Sequence, residues 1–211
     1  MSEQPVLYGA SYSVYVRAVR LTLAEKGVPY TLVPVDVFAP EGPPAEYLVR
    51  QPFGRIPAFE HGSFRLYETA AIMRYVDEAF SGPALQPEGA EARARANQVM
   101  SILDSYAYPS LVRSIFVERV SAPKRGRAPD EAKIRASIPL ATTCLAALAN
   151  IRGEGPFLAG PVLTLADLHA APMFAYFNAT PEAKDLLHLH PGLREWWKRV
   201  AERPSVAATV V

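Results

Sequence analysis

The chain has 211 residues, 50% of them hydrophobic and 20% charged, which excludes the disordered class and leaves room for one large domain or two modest ones without disulfide staples. Lys and Arg total 22 against 21 Asp and Glu, so no excess field recruits nucleic acid, an anionic membrane or an acidic polymer. The one cysteine, Cys144, lies in an apolar stretch and excludes an internal disulfide or a cysteine metal cluster.

The first residues lack a basic segment followed by an apolar core, and no window reaches the roughly 18 apolar residues of a membrane span, so the chain reads as cytoplasmic. Val6-Leu7-Tyr8, closed by Gly9, reads as a first strand. Residues 14–26 follow as a helix, with Val16, Val19, Leu21 and Leu23 interleaved with Arg17, Arg20 and Glu25, and Gly27 where a C-cap belongs. Residues 30–35 supply a second strand. Residues 40–44 carry Pro40, Pro43 and Pro44, each lacking a backbone donor, and are loop. Residues 56–60 and 64–67, around His61-Gly62, read as a hairpin whose first strand is entered by Pro57. Residues 68–80 place Ala71, Ile72, Tyr75, Val76 and Ala79 at helical spacing, completing β-α-β, loop, β-β-α, the order of a thioredoxin-like domain.

Ser81-Gly82-Pro83 and Gln86-Pro87-Glu88-Gly89 mark a linker over 81–89 between an α/β domain, 1–80, and an all-helical domain, 90–211. Its first helix covers 90–120, with Val99, Ile102, Leu103 and Tyr106 on one face and a kink expected at Pro109. Residues 130–150, 165–177 and 191–202 are further helices.

Gln51-Pro52-Phe53-Gly54-Arg55-Ile56-Pro57-Ala58-Phe59-Glu60-His61-Gly62, followed by Leu66-Tyr67-Glu68-Thr69-Ala70-Ala71-Ile72, resembles the N-terminal signature of cytosolic glutathione transferases. Phe157-Leu158-Ala159-Gly160 and Leu163-Thr164-Leu165-Ala166-Asp167-Leu168 resemble a second family sequence; there Thr164 and Asp167 read as a capping box and Leu163 with Leu168 as a hydrophobic staple. The resemblance implies a thioredoxin-like first domain with cis-Pro57, an all-α helical bundle, and glutathione as co-substrate without a metal. Ile56, ahead of Pro57, would offer its backbone groups to the cysteinyl part of glutathione like an added strand. Glu68 and Thr69 would set a helix N-terminus at the γ-glutamyl carboxylate.

Alignment on the serine-type classes (phi, theta and zeta) puts Ser13 at the active serine, four residues before Arg17, with Ser11 and Tyr12 as rivals in the same loop. The resemblance is to phi- and theta-like bacterial members. Ser13 also reads as a plain N-cap. A free thiol of reference pKa about 8.5 is mostly protonated at neutral pH, and a hydrogen bond to its anion lowers that value. Phi-type members carry a histidine-lysine pair for the glycyl carboxylate where this chain has Pro40-Glu41-Gly42-Pro43-Pro44, which leaves Arg55 as a cationic partner. In such proteins a second-substrate pocket forms between the domains, implying Tyr106, Tyr108, Ile115, Phe116 and Tyr176 here, although aromatics at helical spacing are as often packing residues. His188-Leu189-His190 lacks further ligands at metal spacing and reads as a helix end.

The activity so implied is a glutathione transferase that ionises the thiol at Ser13 for attack on a small hydrophobic electrophile. A homodimer is expected, with neither nucleic acid nor membrane as partner. The alternatives are a non-catalytic interaction module on the same fold and a glutathione-dependent isomerase or peroxidase.

Overall fold

The computed structural model describes residues 3–209, which form two compact units: one runs from the N-terminal side to Leu85 and takes in the chain from Pro204 onward, and the other spans Gln86–Arg203. The chain end therefore groups with the first unit, not with the helical domain to which its sequence position assigns it. Ser205 Oγ donates to the Glu25 carboxylate there.

In the first unit, β1 (Val6–Tyr8) pairs in parallel with β2 (Thr31–Val33) and antiparallel with β3 (Ala58–His61), which pairs antiparallel with β4 (Phe64–Tyr67), in the order β2-β1-β3-β4. The parallel pair requires a crossover, and α1 (Val14–Glu25) supplies it. Strand side chains alternate between faces. Leu7 and Phe59, opposite one another, are fully buried on one face, the one covered by α1 and α3 (Thr69–Ala79). On the other, Ala58 joins Val35 and Tyr47 in a small core with Tyr8, Val37 and Ile56 against it. Tyr47 belongs to α2 (Ala45–Leu48), a helix too short to show a period in the sequence.

Lys26, the C-cap of α1, is buried, and its ammonium donates to the Asp77 carboxylate at 3.1 Å and to the carbonyls of Asp77 and Pro83 at 2.9 and 3.0 Å. Three donors on three acceptors tie α1, α3 and the start of the linker together, as a buried cation requires.

The second unit begins with α4 (Ala90–Ile102) and continues without a break into a π-helix, Leu103–Ser121, of 19 residues. The wider turn shows at its exit, where the Ala122 N–H bonds the Val117 carbonyl, and in Ser114 Oγ, which donates to the Pro109 carbonyl at 2.9 Å. Pro109 lies inside this stretch, so the residue expected to kink an α-helix sits in a helix of different pitch. The buried face is Leu103, Ala107, Leu111 and Ile115, while Tyr106, which α-helical spacing places with Leu103, is 50% exposed. After α5 (Ala122–Lys124) come α6 (Glu131–Arg152), α7 (Leu165–Phe177), α8 (Pro181–His188), α9 (Pro191–Ala201) and, in the first unit, α10 (Pro204–Ala207). α6 is long and apolar enough to cross a membrane by length and composition, contrary to the sequence reading, yet it packs against the π-helix, α4, α8 and α9. His188 ends α8 and His190 caps α9, the helix-end role expected of them.

α7 is apolar nearly all round and buried from Leu165 to Phe174, as a central helix should be. Its two buried polar side chains, Asp167 and His169, are both hydrogen-bonded. Asp167 accepts from the N–H groups of Leu158 and Thr164 at 2.8 Å, from Thr164 Oγ1 at 3.0 Å and from Trp196 Nε1 at 2.8 Å. Burial pushes its carboxyl above the ordinary value and these four bonds oppose the shift. His169 Nε2 lies 2.7 Å from Asp104 Oδ1.

Glu118 is the corresponding hub of the π-helix, buried and bonded by Lys133 Nζ at 2.8 Å, Arg127 at 2.8 Å and the Asp130 N–H at 3.3 Å. The Lys133 bond, with the Arg127 and Asp130 donors against the opposing effect of burial, lowers its carboxyl from 4.5 to about 2. Because the folded value is depressed, this stabilisation is complete above the unfolded value and is lost as pH falls through the window from 4.5 to about 2. Glu118→Gln is therefore expected to be less stable than the parent at neutral pH, with the gap closing across that window. Urea unfolding at stepped pH reads this directly, and a pH-independent gap would contradict it.

Candidate active site

The strand register builds the site. Tyr8 lies opposite Ala58, Ala58 opposite Tyr67, and Tyr8 beside Val33. The carboxyl end of β1, the amino end of β3 and the carboxyl ends of β4 and β2 therefore meet at one edge of the sheet. The segments that leave from that edge are Gly9–Ser13, Ile56-Pro57, Glu68-Thr69 and the 34–44 loop. Residues far apart in the chain and predicted for one site are brought together by pairing alone.

Gly9 makes the approach close: a Cβ on it would collide with Val16 and stand 3.3 Å from the Cβ of Ile56. Only glycine lets the chain turn there from β1 into α1 beside the Ile56 backbone. Ser13 then caps α1, its Oγ accepting from the Val16 N–H at 3.4 Å. Accepting that bond leaves the hydroxyl proton available as a donor. The capping and thiol-directed readings of Ser13 are thus compatible. Ser11 is half-buried in the turn before it.

Tyr12 is 40% exposed and stacks on Phe38, 59% exposed, with ring centroids 6.3 Å apart. This aromatic pair next to Ser13 is missing from the sequence reading, which assigns nothing to residues 36–39; no periodicity links two residues in separate segments. The Tyr8 hydroxyl is engaged within the sheet, donating to Glu60 Oε2 at 2.6 Å. Glu60 also pairs with Arg50 at 3.1 Å and Arg65 at 2.9 Å. Burial pushes the Glu60 carboxyl up, but the Tyr8 bond and the two guanidinium groups outweigh it and hold the carboxyl below its usual value.

The Ile56-Pro57 peptide is cis, as expected from the resemblance, and Ile56 stands just ahead of the ladder that begins at Ala58. Arg55 projects an exposed side chain, while its backbone is held on both sides: its N–H donates to Gln51 Oε1 at 3.0 Å and its carbonyl accepts from Tyr47 Oη at 2.6 Å. Glu68 has φ 71 and ψ 115, a left-handed conformation for a non-glycine residue, and it turns the chain from β4 into α3. Such a conformation in a residue other than glycine is uncommon and often marks a functional turn. Thr69 opens α3, buried, and the Ile72 N–H is the first to bond back, to the Glu68 carbonyl at 2.9 Å. The amides of residues 69–71 thus form an unclosed helix start, a natural anion cradle.

The residues expected at the second substrate lie in the helical unit. Phe116 and Tyr176 stack face to face at 4.0 Å, Tyr108 is half-buried, Tyr106 is exposed, and Ile115 is fully buried. Cys144 is buried in α6, and burial pushes its thiol up to about 12, so it is no nucleophile.

Residues 7–84 match the family model for the glutathione S-transferase N-terminal domain, and residues 131–199 that for its C-terminal domain. The chain is 32% identical over 203 residues to the probable glutathione S-transferase GSTF1 of Oryza sativa subsp. japonica, covering 95% of this chain and 92% of that one. It superimposes on the crystal structure of glutathione transferase F7 from Populus trichocarpa with a TM-score of 0.86, 30% identity and 97% of each chain covered. Glutathione S-transferase I from maize, in complex with an atrazine glutathione conjugate, gives 0.85 at 28% identity over 98% of this chain and 96% of that one.

Proposed function

This chain belongs to the glutathione S-transferase family, and from that premise we propose that it binds reduced glutathione at the shared sheet edge and directs its thiolate at a small apolar electrophile. The observation that carries the reading is the register itself, which gathers Ser13, the Ile56 backbone and the open start of α3 at one edge.

Each part matches one group of the tripeptide. The amides of α3 and Thr69 receive the γ-glutamyl carboxylate, where partial positive charge favours an anion. The Ile56 backbone pairs with the cysteinyl residue. The Ser13 hydroxyl donates to the sulfur and stabilises the thiolate over the thiol, helped by the amides at the start of α1. The glycyl carboxylate falls to Arg55, since residues 34–45 carry Asp36 and Glu41 but no Lys, Arg or His. For the electrophile, Tyr12 and Phe38 offer an apolar wall beside Ser13. The maize relative in complex with an atrazine glutathione conjugate supports a small-molecule electrophile.

Calorimetric titration with reduced glutathione tests the proposal, with micromolar to low millimolar affinity expected. Undetectable binding would sink it and favour the interaction-module reading, in which the missing cation after β2 has removed the ligand. Light scattering on the same sample is expected to give a dimer mass, and a monomer mass would remove the homodimer.

A further inference from the structure

Two buried side chains hold the peptide just ahead of Ile56. Tyr47, 3% exposed, donates its hydroxyl to the Arg55 carbonyl at 2.6 Å, and Gln51, 2% exposed, accepts the Arg55 N–H at 3.0 Å. Both are anchored elsewhere: the Tyr47 ring packs with Val35 and Ala58 and lies 6.5 Å from the ring of Tyr8, and the Gln51 N–H bonds the Tyr47 carbonyl at 3.0 Å. The Gly54 N–H returns to the Gln51 carbonyl at 3.2 Å, and Gly54 adopts φ 62, which an L side chain would strain. Arg50, between them in the chain, is tied to Glu60 of β3. The α2 segment is thereby fastened to the sheet, and it grips residue 55 by both of its backbone groups.

From this we infer that Tyr47 and Gln51 are positioning residues for glutathione, acting through the Arg55 peptide to hold the Ile56 backbone in its ligand-pairing conformation before the ligand arrives; the inference rests on the proposed reading of the site. Neither side chain touches the ligand. Their effect is preorganisation: a strand edge that is already ordered spends none of the ligand's binding energy on ordering. Losing either bond frees the segment 52–56, so the loss falls on glutathione affinity and leaves the electrophile and the thiol unaffected.

The test is Tyr47→Phe, which keeps the ring and its packing, and Gln51→Met, which keeps length and burial, each measured by calorimetry with reduced glutathione and by steady-state conjugation of an activated aryl halide. Expected are a rise of roughly 5- to 20-fold in the glutathione Kd and KM, the range that lost preorganisation of a short segment produces, and a kcat at saturating glutathione changed by less than about twofold. The aryl halide KM and the thiolate titration of bound glutathione should not move. Gln51→Glu, which retains an acceptor oxygen at the same reach, should recover most of the affinity. A merely structural role would lower the melting temperature and leave Kd unchanged well below it, and that outcome overturns the inference, as does a parallel rise in both KM values. If the parent protein itself fails to bind glutathione, the reading of the site falls and this inference with it; if the parent binds and the variants bind equally well, only the inference falls.

Discussion

Replacing Ser13 by alanine is expected to cut kcat/KM for glutathione conjugation by about 10- to 100-fold at pH values well below the thiol's reference pKa, while glutathione still binds. The magnitude follows from one hydrogen bond to a developing anion, worth one or two pKa units, each corresponding to about 1.4 kcal/mol. The sign is fixed by the direction of the shift. With the serine present, the bound thiol ionises below about 8.5 and the thiolate fraction is high at neutral pH; without it, the fraction falls tenfold per lost unit until pH exceeds the free value. The variant's deficit should therefore be full at low pH and vanish as pH rises past that value. Ser13 also accepts the Val16 N–H, so the alanine variant loses a helix cap as well, at about 1 kcal/mol of stability. Ser13→Thr, which retains both roles, separates the two effects. The decisive reading is the ultraviolet thiolate absorbance of the glutathione complex against pH, and coincident curves for parent and alanine variant would exclude Ser13 as the thiol's partner.

Asp167→Ala is expected to destabilise the helical unit by about 3–5 kcal/mol, because several buried donors lose their acceptor together and each donor left unsatisfied costs about 1–3 kcal/mol. Four donors converge on this carboxylate, two on each oxygen, and truncation strands the Leu158 and Thr164 amides and the Trp196 indole N–H in a dry interior. For a protein of this size that corresponds to a fall of roughly 6–20 °C in the melting temperature of the affected transition. Asp167→Asn should be intermediate, because its amide can keep an oxygen toward Leu158 and Trp196 but then turns an N–H toward the Thr164 N–H. A loss within about 1 kcal/mol of zero for the alanine variant would mean that water or repacking satisfies the stranded donors. On the proposed reading, which places glutathione on the first unit, glutathione affinity should stay at the parent value in folded Asp167→Ala.

The contrast between Thr164-Asp167 and the aromatic pair Tyr12–Phe38 shows what a sequence can disclose. A capping motif is local: its partners lie three residues apart, so spacing alone announces the helix start, and the structure places Thr164 and Asp167 in that relation. The same holds for Ser13 before α1 and for Gly27 after it. Tyr12 and Phe38 meet only because β1 and β2 run parallel and release their loops at the same sheet edge. The π-helix escaped for a different reason. The apolar pattern of Val99, Ile102, Leu103 and Tyr106 fits an α-helical face, and the choice of the wider turn, which leaves Tyr106 outside and Ile115 inside, depends on how the stretch packs against α6 and α7.

By itself the sequence determined the family, the α/β-then-helical order, the caps and stops of its longer helices and the short motif around Pro57, because each of these is written in neighbouring residues whose types the backbone demands. The tertiary structure alone decided which distant segments share the sheet edge, that Tyr8 is occupied by Glu60, that the chain end joins the first unit, and that Tyr47 and Gln51 grip the residue before Ile56. These are long-range pairings set by strand register and burial, and residues so related carry no mutual spacing for a sequence to display.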